Sequence, residues 1–264
     1  MSRTLVVANQ KGGVGKTTTA VNLAAALARL SKRVLMVDLD PQGNATMGSG
    51  VDKSAIEVSV LNVLVGEATV SEATTRSEQG QYNLLPANGD LTAAEVELIS
   101  MKMREQRLKH ALMKVASQYD YVIIDCPPSL NMLTVNALVS ADGVLVPVQC
   151  EYYALEGLSA LVGTIRRIAQ VANSKLKIEG IVRTMYDPRN MLTNDVSDQL
   201  KSYFGDKLYS TCIPRNVRLA EAPSHGLSVL DYDPGSKGAL AYKSMAAELI
   251  RREKRVHKGG KKGS

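Results

Sequence analysis

Residues 10–19 read QKGGVGKTTT, directly after the apolar run TLVVAN and directly before an alanine-rich amphipathic stretch. Three glycines, Gly12, Gly13 and Gly15, can adopt backbone conformations that turn several N–H groups toward one point. A helix beginning just after them brings its positive end to the same point. Lys16 supplies a cation for β- and γ-phosphate oxygens, and the Thr17 hydroxyl is a ligand suited to Mg²⁺. The predicted chemistry is triphosphate binding through Gly12, Gly13, Val14, Gly15, Lys16, Thr17 and Thr18. A bare Gly-Lys-Thr triplet would equally suit an ordinary glycine-rich turn; the strand–loop–helix setting points to a phosphate loop. The general phosphate-loop pattern has another glycine at position 10, where this chain has Gln10, and Lys11 is an additional cation at the loop entrance.

Two further apolar runs end in carboxylates. Residues 33–37 are followed by Asp38-Leu39-Asp40-Pro41-Gln42-Gly43-Asn44, and residues 121–124 by Asp125-Cys126-Pro127-Pro128. Carboxylates at the C-terminal ends of parallel strands face the ligand crevice of an open sheet. Asp40 is the candidate for orienting an attacking water, Asp38 for support around Mg²⁺, and Asp125 for holding Mg²⁺. Taken alone, 38–44 reads as a helix cap and a turn, and many buried strands end in Asp. The phosphate loop upstream is what gives these carboxylates a metal and a water to act on.

The elements that must position these groups alternate along the chain. Strand-like runs fall at 4–8, 33–37, 82–86, 121–124, 143–147, 178–185 and 207–213, and helical patterns at 16–30, 92–117, 130–139, 154–172, 194–204 and 238–252. Such alternation predicts an α/β fold, an open, mostly parallel sheet with helices on both faces. The runs VIID and GVLVPV lack period-two alternation, as central strands buried on both sides should. Residues 1–253 read as one domain and 254–264 as a basic, disordered tail.

The chain has 264 residues and a formal net charge of +6. The segment 251–264 carries seven Lys/Arg and one acid, which leaves residues 1–250 formally neutral. A basic tail is compatible with an anionic partner or with simple solvation. No stretch approaches a membrane span, and MSRTLVVANQ lacks the features of a secretory signal, so a cytoplasmic location is expected. Cys126, Cys150 and Cys212 are odd in number and widely spaced, which disfavours a disulfide framework and predicts core or near-core thiols. His110, His225 and His257 are too scattered for a metal site. Tyr152 and Tyr153 suit either an interaction surface or packing, and packing is expected.

The loop KGGVGKTT, with its second lysine, resembles that of the ParA/MinD family of ATPases. The segments DLDPQGNAT (38–46), IIDCPPSL (123–130), PVQCEYYALEGL (147–158) and IPRNVRLAEAPSHG (213–226) extend the resemblance to the ParA/Soj branch over about residues 1–250. It implies an ATP hydrolase using ATP and Mg²⁺ that acts in DNA segregation. An ATP-dependent homodimer would bind double-stranded DNA without sequence preference, and a ParB-type partner would stimulate hydrolysis and release. The resemblance assigns Lys11 to the partner subunit's nucleotide and Pro214 and Asn216 to the base. Arg189 and Arg218 fall to DNA; Arg215, Arg218 and Glu221 lie in a segment that suits a dimer edge, a DNA edge or simply a solvated helix face. The catalytic set implied is Lys11, Lys16 and Asp40, in a nucleoid-associated protein. The membrane-binding MinD branch ends in an amphipathic helix; here the end is EKRVHKGGKKGS, without an apolar face. A nitrogenase-reductase-like protein would place cysteines differently. A small-molecule enzyme with this loop remains the alternative of another class.

Overall fold

The structure, a computed structural model, describes residues 2–259. Its strands are β1 Arg3–Val7, β2 Val34–Asp38, β3 Thr75–Ser77, β4 Tyr82–Leu85, β5 Tyr121–Asp125, β6 Gly143–Gln149, β7 Lys177–Tyr186 and β8 Leu208–Pro214. Its first helices are α1 Lys16–Arg29, α2 Asn44–Gly48, α3 Val60–Val65, α4 Val70–Ala73, α5 Ala94–Glu97 and α6 Arg107–Met113. They are followed by α7 Met132–Ser140, α8 Ala154–Val171, α9 Met191–Phe204, α10 Val217–Glu221, α11 Val229–Tyr232 and α12 Lys237–Gly259.

The eight strands form one sheet in the order β3-β4-β2-β5-β1-β6-β7-β8. Every neighbouring pair is parallel except β3 with β4. The expected open, mostly parallel sheet is therefore present. Strand β5 explains the unbroken apolar run at its centre. Tyr121 and Ile123 pack with Leu23 and Leu27 of α1 and Tyr242 and Leu249 of α12. Val122 and Ile124 pack on the other side with Leu133 and Leu138 of α7 and Leu158 of α8. Both faces of the strand are covered, so neither tolerates polar alternation.

The expected helix 92–117 is instead a series of short pieces. Helices α5 and α6 are separated by 3₁₀ turns at Leu98–Ser100 and Arg104–Gln106, and Met103 lies in the left-handed region at φ 54°. The Asn136 side chain stabilises the interruption: it donates to Arg104 O at 2.7 Å and accepts from Leu108 N at 3.1 Å. Residues 44–73, without a strong apolar period, fold as α2, α3 and α4, and the three-residue β3 is too short and polar to register as a strand.

The last helix also differs from expectation, running beyond Arg252 to Gly259. Residues 254–259 are thus helical, while 260–264 lie outside the described residues. Lys, Arg and Glu favour helices, and Arg252 bonds Glu248 one turn back at 2.7 Å.

Candidate active site

Strand β1 delivers the chain to a loop held at both sides by side-chain hydrogen bonds. Asn9 donates to Pro147 O at 2.8 Å and accepts from Lys11 N at 3.0 Å, tying the loop entrance to β6. Thr184 of β7 donates to Val14 O at 2.9 Å. Gly13 and Gly15 have φ of 73° and 83°, the left-handed region where a side chain is strained. Gly12 and Gly13 are exposed, and Val14 is buried.

Gly15 is the N-cap of α1; no side chain caps this helix and its first turn holds no acid. Its first N–H groups and positive dipole end therefore remain directed to the loop. Lys16 is 8% exposed and its ammonium donates to Lys11 O at 3.0 Å. Burial lowers its pKa, opposed by the charges of Asp125 and Asp40. The Thr17 hydroxyl donates to Asp125 Oδ2 at 2.7 Å. The Thr18 carbonyl accepts from Asn22 at 2.7 Å, and Thr19 shares a hydrogen bond of 3.1 Å with Tyr242, anchoring the first turn of α1 to α12.

Asp125 and Asp38 are register partners at the ends of β5 and β2, and both are fully buried. Asp38 accepts from Asp40 N at 3.1 Å, Thr46 N at 2.8 Å and Thr46 Oγ1 at 2.8 Å. Its carboxylate is thus the anchor of the loop 39–46, which turns at Gly43 with φ 62°. Burial pushes the Asp38 carboxyl up to about 6 against those bonds. Asp125 Oδ1 is buried and has no hydrogen-bond partner among the described residues. Burial, then the charge of Asp38, holds the Asp125 carboxyl well above the usual range. Asp40 is half-buried and accepts from Gln42 N at 2.9 Å.

An orphaned buried carboxylate oxygen, an adjacent hydroxyl, a buried ammonium and an uncapped helix N-terminus form a donor set that fits Mg²⁺ and a triphosphate. Thr17 and Asp125 are the residues suited to hold the metal, and Asp38 sits behind them, occupied with its own loop. Lys11 stands apart from this group: its ammonium, on a side chain 38% exposed, pairs with Glu151 at 2.7 Å.

Other predicted residues are on the same end of the sheet but outside this cluster. Pro214 closes β8 against Tyr186, and Asn216 caps α10 by accepting from Arg218 N at 2.9 Å. Neither is hydrogen-bonded to residues 11–19 among the described residues. Arg189 pairs with Asp187 at 2.8 Å, and Arg218 with Glu221 at 2.8 Å and Asp233 at 3.4 Å. Cys126 and Cys150 are buried and Cys212 is half-buried, all free. Tyr152 and Tyr153 do not pack into the core; they are 76% and 67% exposed and stack edge to face on each other. Glu151, Thr184, Asn9 and Thr46 shape the site without having been singled out, because each acts on a residue remote in sequence or through one hydrogen bond that no local pattern encodes.

This fold and site define a P-loop ATPase with two lysines in its loop. The chain matches the family described as an AAA domain over residues 2–178. It is 52% identical over 249 residues to the sporulation initiation inhibitor protein Soj of Bacillus subtilis, covering 94% of this chain and 98% of that protein. It is 49% identical over 254 residues to the chromosome partitioning protein ParA of Caulobacter vibrioides, covering 96% and 95%. Among solved structures, the cobyrinic acid a,c-diamide synthase of Mycobacterium smegmatis with bound ADP and magnesium is similar, with TM-score 0.85, 42% identity and 96% of each chain covered. The chain belongs to the ParA/Soj family of partitioning ATPases. It is an ATP hydrolase, and its cofactors are ATP and Mg²⁺. No helix among the described residues is long and apolar enough to cross a membrane.

Proposed function

We propose that this protein segregates DNA as an ATP-driven sandwich dimer, nucleoid-associated in the cytoplasm, that binds duplex DNA nonspecifically and is released when a ParB-type partner stimulates hydrolysis. The observation that carries this reading is the position of Lys11. Its ammonium, on a side chain 38% exposed, pairs with half-buried Glu151 and with no other acid among the described residues, which leaves it open to exchange for a competing anion such as a second molecule's triphosphate. An exposed ion pair of this kind is worth about 0–1 kcal/mol, so exchanging a carboxylate for a triphosphate is favourable.

In this reading the backbone N–H groups of 12–18 and the Lys16 ammonium hold the phosphates. Thr17 and Asp125 would hold Mg²⁺, which would supply positive charge beside the phosphates. Asp38 fixes the loop that presents Asp40. Asp40 orients the attacking water, and Lys11 of the partner subunit offsets the charge that develops on the transferred group, as an arginine finger does. Pro214 and Asn216 contact the base. Arg189 and Arg218 exchange their half-exposed carboxylate partners for DNA phosphates, and pairing two subunits doubles those contacts, so ATP switches binding on by avidity.

The name of the Mycobacterium smegmatis neighbour describes a small-molecule synthase. The relatives at 52% and 49% identity carry sporulation and partitioning names, which favours the DNA reading. The test is retention on mixed-sequence duplex DNA against salt, with ATP. Arg189→Ala and Arg218→Ala should each weaken binding evenly across sequences and make the salt dependence shallower by about one phosphate contact per subunit. Wild-type-like retention by both would remove these arginines from the DNA surface. Absence of ATP-dependent retention by the wild type would remove the DNA reading itself.

A further inference from the structure

The end of the sheet away from the nucleotide site gathers cations from four places far apart in sequence. Lys32 and Arg33 lie in the turn from α1 into β2, Lys175 precedes and Lys177 begins β7, Lys207 precedes β8, and Arg251, Lys254 and Arg255 belong to the last turns of α12. Hydrogen bonds fix these places at one pole. Arg252 donates to Asp206 O at 2.6 Å and Leu208 O at 2.7 Å, which seats the end of α12 at the start of β8. Arg3, at the start of β1, pairs with both Glu179 of β7 and Glu253 of α12. Tyr121, at the start of β5, donates to Glu253 through its hydroxyl at 2.5 Å and to Arg33 O through its N–H at 3.2 Å.

The starts of β2 and β8 are five strand steps apart in the order β2-β5-β1-β6-β7-β8. At about 4.8 Å per step the row spans about 24 Å. That is the length of about seven base pairs of duplex, at roughly 3.4 Å each. Lys175, Lys177, Lys207, Arg251, Lys254 and Arg255 are exposed and make no ion pair among the described residues. The acids nearby are mostly engaged already: Glu179 and Glu253 by Arg3, Asp120 by Arg33, Glu248 by Arg252, and Asp142 by Thr4 N at 2.8 Å. Asp206 is the exception. On the nucleotide side, by contrast, Arg189 and Arg218 must each leave a carboxylate first.

We propose that this pole is a second DNA-phosphate contact surface, independent of nucleotide, so that one molecule can hold a DNA segment at each end. The proposal takes DNA as the partner from the function inferred above, but assigns it to different residues and a different condition. A row of cations anchored on the strand starts, with Lys175, Lys177, Lys207, Arg251, Lys254 and Arg255 unpaired among the described residues and Arg33 already paired with Asp120, suits a regular phosphate ladder. A bilayer surface would call for an apolar face beside the charges, whereas Arg251–Arg255 of α12 are all charged side chains.

The test uses the full chain with Lys177→Gln, Lys207→Gln and Lys254→Gln combined, and a fluorescent mixed-sequence duplex of about 30 base pairs. Without nucleotide, the wild type should bind weakly and salt-dependently. The triple variant should bind at least about tenfold more weakly at about 50 mM salt, with a log–log salt slope shallower by about 2.7. Its basal ATPase rate should be unchanged, and the matching Lys→Arg triple variant should bind like the wild type. With ATP, the wild type should bring two differently labelled duplexes together, and the Gln triple variant should bind one without bridging. Equal nucleotide-free affinity and slope for wild type and the Gln variant would overturn the proposal. So would lysine-dependent binding to phosphatidylglycerol vesicles in place of duplex. Nucleotide-free binding that persists while ATP adds nothing would sustain this pole and sink the ATP-switched reading instead.

Discussion

Asp38 and Asp125 end neighbouring strands in the same register, both fully buried, yet they are bonded in opposite ways. Asp38 spends its oxygens on the protein, receiving three hydrogen bonds from Asp40 and Thr46. Asp125 receives one, from Thr17, and its other oxygen has no partner among the described residues. Identical side chains at equivalent positions thus divide the work. The end of β2 stabilises a loop and so sets the place of Asp40, while the end of β5 keeps acceptor capacity for a cation. A buried carboxylate without partners is costly unless a counter-charge arrives, so the β5 side couples stability to ligand and the β2 side to loop order.

The largest effect is expected on the β5 side, where Lys16 is the cation nearest in influence to Asp125. Lys16→Ala should remove stable ATP binding in calorimetry, a loss of about 3 kcal/mol or more, because a charge-assisted hydrogen bond to phosphate goes with it. Normal affinity would undo the phosphate-loop assignment. Asp125→Asn should reduce Mg²⁺-dependent ATP binding by about 100-fold while leaving the metal-free fold intact. If Asp38→Asn lowers Mg²⁺ dependence as much as Asp125→Asn does, the division between the two carboxylates fails.

Proton linkage gives a subtler reading of the same contrast. Burial raises the Asp38 carboxyl from 3.8 to about 6. Between those values the folded protein holds a proton that the unfolded chain releases, so its stability falls as pH rises through the window. Urea unfolding of the metal-free protein should therefore show a decline of about 3 kcal/mol from this group between about pH 4 and 7. Asp38→Asn should flatten that part of the profile, and Mg²⁺ with ATP should restore stability more at pH 7 than at pH 5. An unchanged profile in the variant would mean that Asp38 is ionised at little cost. The smallest effect is at Thr46, whose hydroxyl also accepts from Ala87 N at 3.0 Å. Thr46→Val should cost about 1–3 kcal/mol of stability, and its turnover should fall more than its ATP affinity.

The parts of the site legible in the sequence are those whose chemistry is local. A phosphate loop needs glycines, lysine and threonine within ten residues, so Gly12 to Thr18 stand out as a string. The alternating strands were equally readable, because buried central strands must be apolar throughout. What escaped depends on contacts between distant residues. Glu151 meets Lys11 across 140 positions and Thr184 meets Val14 across 170, and neither is unusual in its own segment. The segment 92–117 carries a helical period, but Asn136 of α7 and the left-handed Met103 divide it. The motif alone gives Asp38 and Asp125 the same metal-side role; the difference in their bonding lies in hydrogen bonds from Thr46, eight residues on from Asp38, which the motif does not specify.

The central claim, that Lys11 acts on the partner's nucleotide, is tested most directly by light scattering after size exclusion with saturating Mg²⁺ and ATP. Asp40→Ala should bind ATP, fail to turn over and elute as a stable dimer, because the water lacks its orienting group while every phosphate contact remains. Lys11→Ala should bind ATP through Lys16 and stay monomeric, and adding Lys11→Ala to Asp40→Ala should dissolve the trapped dimer. A dimeric Lys11→Ala protein, or an ATP-loaded Asp40→Ala protein that remains monomeric, would contradict the account.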